Sequence, residues 1–257
     1  MARIAVIGGS GLEDLLQGTR QVRVGTPYGP APLISVGSLG KEEVAFLPRH
    51  GVKHDLPPHR VNYRGNLHAL KQLGVERIIA TNAVGGINSA YKPGDLAIPE
   101  DILDMTKSRA VTYFDSAPVT HIDVSQPYCP ELRTTLIESA KRTKTRTWDN
   151  AVLAATEGPR YETPAEIRML ETLGGDIVGM TGSPETFLAR ELEMCYSALC
   201  FVSNRAAGKQ EKLSAIGVME IGRKVMPDML MIIRGAIEKI PIKRNCSCNK
   251  AREQAQV

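Results

Sequence analysis

Short apolar runs rich in β-branched residues recur along the chain at residues 4–7, 44–47, 78–81, 152–156, 176–179 and 198–202. Between some of them the apolar positions switch to helical spacing. Leu67, Leu70 and Leu73 share one helical face, Gly74 supplies a left-handed stop, and a strand resumes at Ile78. Pro164 suits the first turn of another helix, whose face is Ile167, Leu170 and Leu173; Gly174 ends it before Ile177. A helix-like pattern also follows the glycines at Gly8, Gly9 and Gly11. Strands alternating with helices predict an α/β fold, a sheet with helices packed on its faces. Turn signals are spread evenly and no Pro/Ser/Gly linker interrupts them, which favours one domain over two.

The polar residues that follow these runs carry the chemistry. The first run leads to Gly8, Gly9 and Ser10, the second to Arg49 and His50, the third to Asn82 and Ala83. The remaining three lead to Glu157, to Met180 with Thr181, and to Ser203 with Asn204. Ligands of open α/β sheets bind at the carboxyl ends of strands, so these residues nominate one pocket. Ser10 after a glycine turn, Arg49 with His50, and Thr181 supply the hydroxyl, guanidinium and backbone donors that hold a phosphate. The opening glycines do not form a dinucleotide loop, because the G-x-G-x-x-G frame from Gly9 meets Asp14 where glycine is required.

Other chemistries fit less well. His50, His54 and His59 crowd one segment, but Pro57 and Pro58 break any helix there, so the set reads as loop histidines and no metal is expected. No G-x-S-x-G frame occurs and no cysteine has a histidine neighbour, which argues against a covalent intermediate.

Composition narrows the setting. The chain has 257 residues, 42% of them apolar, enough for one large domain. Its net charge of +4 gathers at residues 141–146 and 243–252. Without interleaved aromatics these clusters read as a solvated helix end and a loose basic tail rather than a nucleic-acid surface. The N-terminal apolar run is far too short for a signal peptide and the most apolar C-terminal stretch, 229–233, is broken by Arg234, so neither secretion nor a membrane span is expected and the protein reads as cytoplasmic. The 5 cysteines lack paired C-x-x-C spacing for zinc, and Cys246 and Cys248 form a lone C-x-C.

The motifs GGSG, PRHG, TNAVGGIN, EGPRYET and GMTGSPE, in this order and spacing, resemble the trimeric purine nucleoside phosphorylase family, most closely its methylthioadenosine phosphorylase branch. The likeness runs from Ile4 to about Ile240. It implies a single-domain twisted mixed β-sheet flanked by α-helices over residues 1–240, followed by a basic tail, 241–257. It also implies phosphorolysis: phosphate attacks C1′ of a purine nucleoside, and free base and ribose 1-phosphate leave. Inorganic phosphate is then a co-substrate, no cofactor is needed, and the protein is a trimer or dimer of trimers. The resemblance implies that Ser10, Arg49, His50, Ala83 and Thr181 bind phosphate, that Asn204, His50 and Arg49 carry the catalysis, that Met180 packs under the ribose, and that Asn82, beside Ala83, borders the same site. Glu157 orders a loop on this reading. His121 is similar to a residue that a neighbouring subunit contributes. Hyperthermophilic members carry a C-terminal C-x-C, which suggests disulfides Cys129–Cys200 and Cys246–Cys248 or free thiols as alternatives.

At the base end the chain departs from its nearest branch. Asn204 and Ala206 stand where methylthioadenosine phosphorylases carry aspartates, and Glu162, directly after the aromatic Tyr161, stands where they have a small hydroxyl residue; Tyr161 and Ser203 join the expected substrate-binding set. Glu162 with Asn204 is similar to the pair in phosphorylases of 6-oxopurines. Hypoxanthine and guanine offer N1–H as a donor, whereas adenine offers a bare N1 that would face the Glu162 carboxylate. A mismatch of that kind discriminates by roughly 10⁴ to 10⁵. Val218 falls where methylthio enzymes place an apolar residue, which suits 5′-methylthioinosine without excluding inosine or guanosine. A methylthioadenosine phosphorylase is the near alternative; a dinucleotide-dependent oxidoreductase and a non-catalytic nucleoside-binding protein are the more distant ones.

Overall fold

The computed structural model describes residues 2–9 and 15–257. Its strands are β1 (Ile4–Gly8), β2 (Gln17–Val22), β3 (Ile34–Leu39), β4 (Glu42–Pro48), β5 (Arg77–Gly86), β6 (Leu96–Met105), β7 (Thr147–Thr156), β8 (Ile177–Gly179) and β9 (Cys195–Arg205). The helices are α1 (Tyr63–Gln72), α2 (Pro130–Ala140), α3 (Pro164–Thr172), α4 (Glu185–Glu191) and α5 (Ala215–Lys239). The strands form one mixed sheet in the order β2-β3-β4-β1-β5-β8-β7-β6-β9, and β9 also pairs with β5, so the far half closes into a ring.

Alternation along the central strands splits the core into two layers. Ala5 and Ile7 of β1 join Ala45, Leu47, Ile78 and Ala80 on the face covered by Leu67 and Leu70 of α1 and Leu188 of α4. Ile4 and Val6 join Val44, Phe46 and Ile79 on the opposite face, under Leu132 and Leu136 of α2 and Val225, Ile232 and Ile233 of α5. Strands buried on both faces are continuous apolar runs, which is why β1 was legible. A smaller cluster seats Ile167 and Leu170 of α3 against Val178 and Ile87.

Gly74 and Gly174 adopt φ of +85° and +90°, as the helix-stop reading requires. The α3 start carries a capping box: Thr163 accepts from the Glu166 N–H, and Glu166 accepts from the Thr163 N–H. We expect Thr163→Ala to cost about 1 kcal/mol, read as a lower urea midpoint at unchanged slope.

Several expectations are corrected. The helical pattern after Gly11 does not continue, because Gln17 already begins exposed strand β2. Ser10 lies outside the described residues. Asn82 and Ala83 do not follow a strand, nor do Ser203 and Asn204; both pairs lie inside β5 and β9, which outrun their apolar cores. The tail is not loose. Cys248, Ala251 and Ala255 are buried, Asn245 N–H donates to Glu131 at 2.9 Å, and Gln256 bridges Thr120. All five cysteines are free. Cys200 contacts the Asn82 amide at 3.7 Å, while the sulfur of Cys129 lies with those of Cys195, Cys246 and Cys248, so a Cys129–Cys200 bond does not form. Among the described residues, no helix is long and apolar enough to cross a membrane.

Candidate active site

A cavity of about 1230 Å³ opens where β1, β4 and β8 end, beside β5 and β9, and is walled by α5 from Val218 to Leu230. Gly9, Arg49, His50, Asn82, Ala83, Tyr161, Glu162, Met180, Thr181, Ser203, Asn204 and Val218 all line it, so the sequence assignments converge on one place.

At one end Arg49 is buried and already engaged. Its Nε and Nη2 donate to the two Glu185 oxygens at 2.6 and 2.8 Å, and Nη1 donates to the Thr81 carbonyl at 2.7 Å. Two of the five N–H of a guanidinium remain for a ligand. Burial alone would lower the Arg49 pKa, but the Glu185 carboxylate outweighs it and holds the arginine charged. Arg49 is thus one half of a buried ion pair as well as a candidate anion donor, with Tyr196 donating to the same carboxylate at 2.8 Å. Glu185 stands in the GMTGSPE motif, but a partner 136 residues from Arg49 leaves no local pattern to find it by.

His50 is likewise specified. Its Nδ1 lies 2.8 Å from the Leu56 carbonyl, so Nδ1 carries the proton and Nε2 the lone pair. Burial and the Arg49 charge hold its pKa down at about 4, leaving the ring neutral at pH 7. A neutral Nε2 can accept a hydrogen bond from a hydroxyl donor in the cavity rather than acting as a cation.

The backbone completes this end. Pairing of β5 with β1 stops at Ala80, which frees the β5 edge beyond it. The Thr81 carbonyl points to Arg49 on that side, and two-residue alternation turns the Ala83 N–H the same way. Thr181 donates to the Asn82 amide oxygen at 2.8 Å, so Asn82 fixes the orientation of that hydroxyl in the cavity wall.

At the other end Glu162 accepts from the Thr156 hydroxyl at 2.6 Å, and Thr156 is a positioning residue that the sequence reading left inside its strand. Asn204 accepts from Ser203 at 2.7 Å and donates to the Arg205 carbonyl at 2.8 Å, which fixes its amide and leaves one N–H over. Met180 packs on Gly158, where φ is +65° and a Cβ would come within 2.6 Å of the Met180 sulfur. Glu157 orders a loop as expected: it accepts from the Lys107 N–H at 2.7 Å. Arg109, unforeseen, clamps the same turn by donating to the carbonyls of Glu157 and Ser183 at 2.7 and 2.6 Å.

Two assignments do not reach the cavity. Ala206 is buried in the core with its N–H on the Gly86 carbonyl at 2.8 Å, and Ala207 lines the wall instead. His121 is exposed outside the cavity of its own chain, its N–H held by the Ala255 carbonyl at 2.8 Å. In a third region α5 lines the cavity with the apolar Val218, Met219 and Met226, with Arg223 on the same helix.

The chain is similar to known proteins over its whole length. Residues 3–238 match the Phosphorylase superfamily. The chain is 49% identical to a probable S-methyl-5′-thioinosine phosphorylase of Methanopyrus kandleri over 100% of both chains. It is 48% identical to the 6-oxopurine nucleoside phosphorylase of Pyrococcus furiosus over 98% of both. A crystal structure of a methylthioadenosine phosphorylase from an antarctic soil metagenomic library superposes with a TM-score of 0.95 at 36% identity, covering 100% of this chain and 92% of that one.

Proposed function

Because the chain belongs to the Phosphorylase superfamily, we propose that it is a purine nucleoside phosphorylase selective for 6-oxopurines, cleaving inosine, guanosine and 5′-methylthioinosine. The observation that carries this reading is the Glu162 and Asn204 pair, both lining one cavity and both locked in orientation by Thr156 and Ser203. The Glu162 carboxylate accepts from N1–H of the base. The spare Asn204 N–H donates to N7 or O6.

Phosphate sits at the opposite end, against the spare Arg49 donors, the Ala83 N–H, Thr181 and Nε2 of His50, with Ser10 as a further ligand. A phosphate oxygen bonds to C1′ as the bond from C1′ to N9 breaks. The electron pair of that bond enters the purine, where Asn204 stabilises the charge gathering on N7 and O6. Met180 holds the ribose between the two ends. The proton that the hydrogen phosphate gives up passes through solvent to the departing purine, and free base and ribose 1-phosphate leave, with no cofactor taking part.

The apolar wall of Val218, Met219 and Met226 accommodates a 5′-methylthio group. His121, exposed on its own chain, completes a neighbouring subunit's site in a trimer. Methylthioadenosine phosphorolysis is the competing reading, supported by the name of the superposed crystal structure. Incubating the protein with inosine should release hypoxanthine only when phosphate is present; equal release without phosphate, or none with it, refutes the reading.

A further inference from the structure

Away from the cavity, four cysteine sulfurs converge. The Sγ atoms of Cys129, Cys195, Cys246 and Cys248 all lie within 4.8 Å of one another, and those of Cys195 and Cys246 are 3.4 Å apart. They come from three places: Cys129 caps the N-terminus of α2, Cys195 opens β9, and Cys246 and Cys248 lie in the tail. This dispersal is why no zinc spacing is visible in the sequence. Cys129, Cys195 and Cys248 are buried in the layer beneath α2 and α5.

We propose that these four cysteines bind one zinc ion as a tetrahedral tetrathiolate, a structural site that fastens the tail to the body of the domain. Zn–S bonds of about 2.3 Å in a tetrahedron place the sulfurs about 3.8 Å apart; the Cys195–Cys246 pair at 3.4 Å and the remaining pairs, all within 4.8 Å, are compatible with that spacing. Two disulfides would instead need each sulfur at about 2.05 Å from one partner, whereas here all four are mutually close.

The frame is fixed by the backbone before any ion arrives. The Cys129 N–H donates to the Tyr196 carbonyl and the Cys195 N–H to the Glu76 carbonyl, both at 2.8 Å. The tail is held ahead of the cluster by Arg244 on the Glu193 carbonyl and by the Asn245 N–H on Glu131, both at 2.9 Å.

A second observation concerns charge. Four thiolates around a divalent cation carry a net double negative charge. Arg77 stands beside Cys195 in the parallel register of β5 and β9, is fully buried, and its Nε has no hydrogen-bond partner. Its two terminal nitrogens reach Glu76 and Glu131 at 3.2 and 3.4 Å. An anionic cluster next to it balances a buried guanidinium whose partners are otherwise long or partly exposed.

On binding, each thiol releases its proton to solvent and its sulfur bonds to the metal. Beyond the cluster the chain returns to the loop around His121, where the Val257 N–H donates to the Val119 carbonyl at 3.1 Å. The ion therefore anchors one end of a segment whose other end supports that loop.

The test is metal analysis of the full-length protein, purified in reductant without chelator. The expected content is about one zinc per chain. It should stay at that level in Cys200→Ser, which lies outside the cluster, and fall at least tenfold in Cys248→Ser. If Cys248→Ser fails to fold, titrating the wild type with an organomercurial in the presence of a zinc indicator should release one zinc for about four equivalents. Three results overturn the proposal: no zinc even after incubation with excess zinc and gel filtration, iron at the same stoichiometry, or a single titratable thiol in the metal-free unreduced protein, which would mean two disulfides.

Discussion

Replacing Glu162 by Gln is expected to lower kcat/KM for inosine by about 10² to 10³ while leaving adenosine turnover unchanged or raised. The change is close to isosteric, and the Thr156 hydroxyl that donates to Glu162 at 2.6 Å will draw the amide oxygen of Gln to itself. The amide N–H₂ then faces the base. Against hypoxanthine, a donor meets N1–H, a mismatch; against adenine, it meets the N1 lone pair, a match. The same hydrogen bond from Thr156 thus decides the sign of the effect. Steady-state assays of paired inosine and adenosine read the ratio directly, and equal loss on both substrates would show that Glu162 acts on the fold and not on the base.

The second large effect concerns stability. Arg49→Met should cost about 3–5 kcal/mol, because it strands the Glu185 carboxylate, which is 0% exposed, with Tyr196 as its remaining donor. For a domain of this size that lowers Tm by roughly 10 °C. The double variant Arg49→Met with Glu185→Leu removes the stranded charge as well, so it should recover most of the loss. Its phosphate KM should remain raised nonetheless, which separates the structural from the ligand-binding role of Arg49. A single variant within 1 kcal/mol of wild type would contradict the buried-pair account.

What could be read from the sequence followed from local pattern. The apolar run of β1, the helix faces of α1 and α3 and their glycine stops all obey short-range periodicity, and the structure repeats them. The two ends of the cavity were legible for a related reason: Arg49, His50, Met180 and Thr181 directly follow their strands. Asn82 and Asn204 broke the apolar pattern and so resembled strand ends, although β5 and β9 continue through them with polar side chains turned to the cavity. The misplacement of Ala206 is the same effect at its smallest scale, since a shift of one residue along an extended chain moves a side chain from wall to core. Partners far apart in sequence had no such signal. Glu185 on Arg49, Arg109 across the Glu157 turn, and the tail cysteines beside Cys129 and Cys195 are joined only by the fold.

The proposed base specificity rests on the Glu162 and Asn204 pair, and one comparison tests it most directly. The wild-type protein is given 5′-methylthioinosine and 5′-methylthioadenosine separately, at the same saturating phosphate, and kcat/KM for base release is measured for each. The two substrates differ only at the purine edge that Glu162 and Asn204 face, so the sugar and phosphate ends cancel. Hypoxanthine release faster than adenine release by a factor of about 10² or more is the expected result. Adenine release as fast as or faster than hypoxanthine release would contradict it.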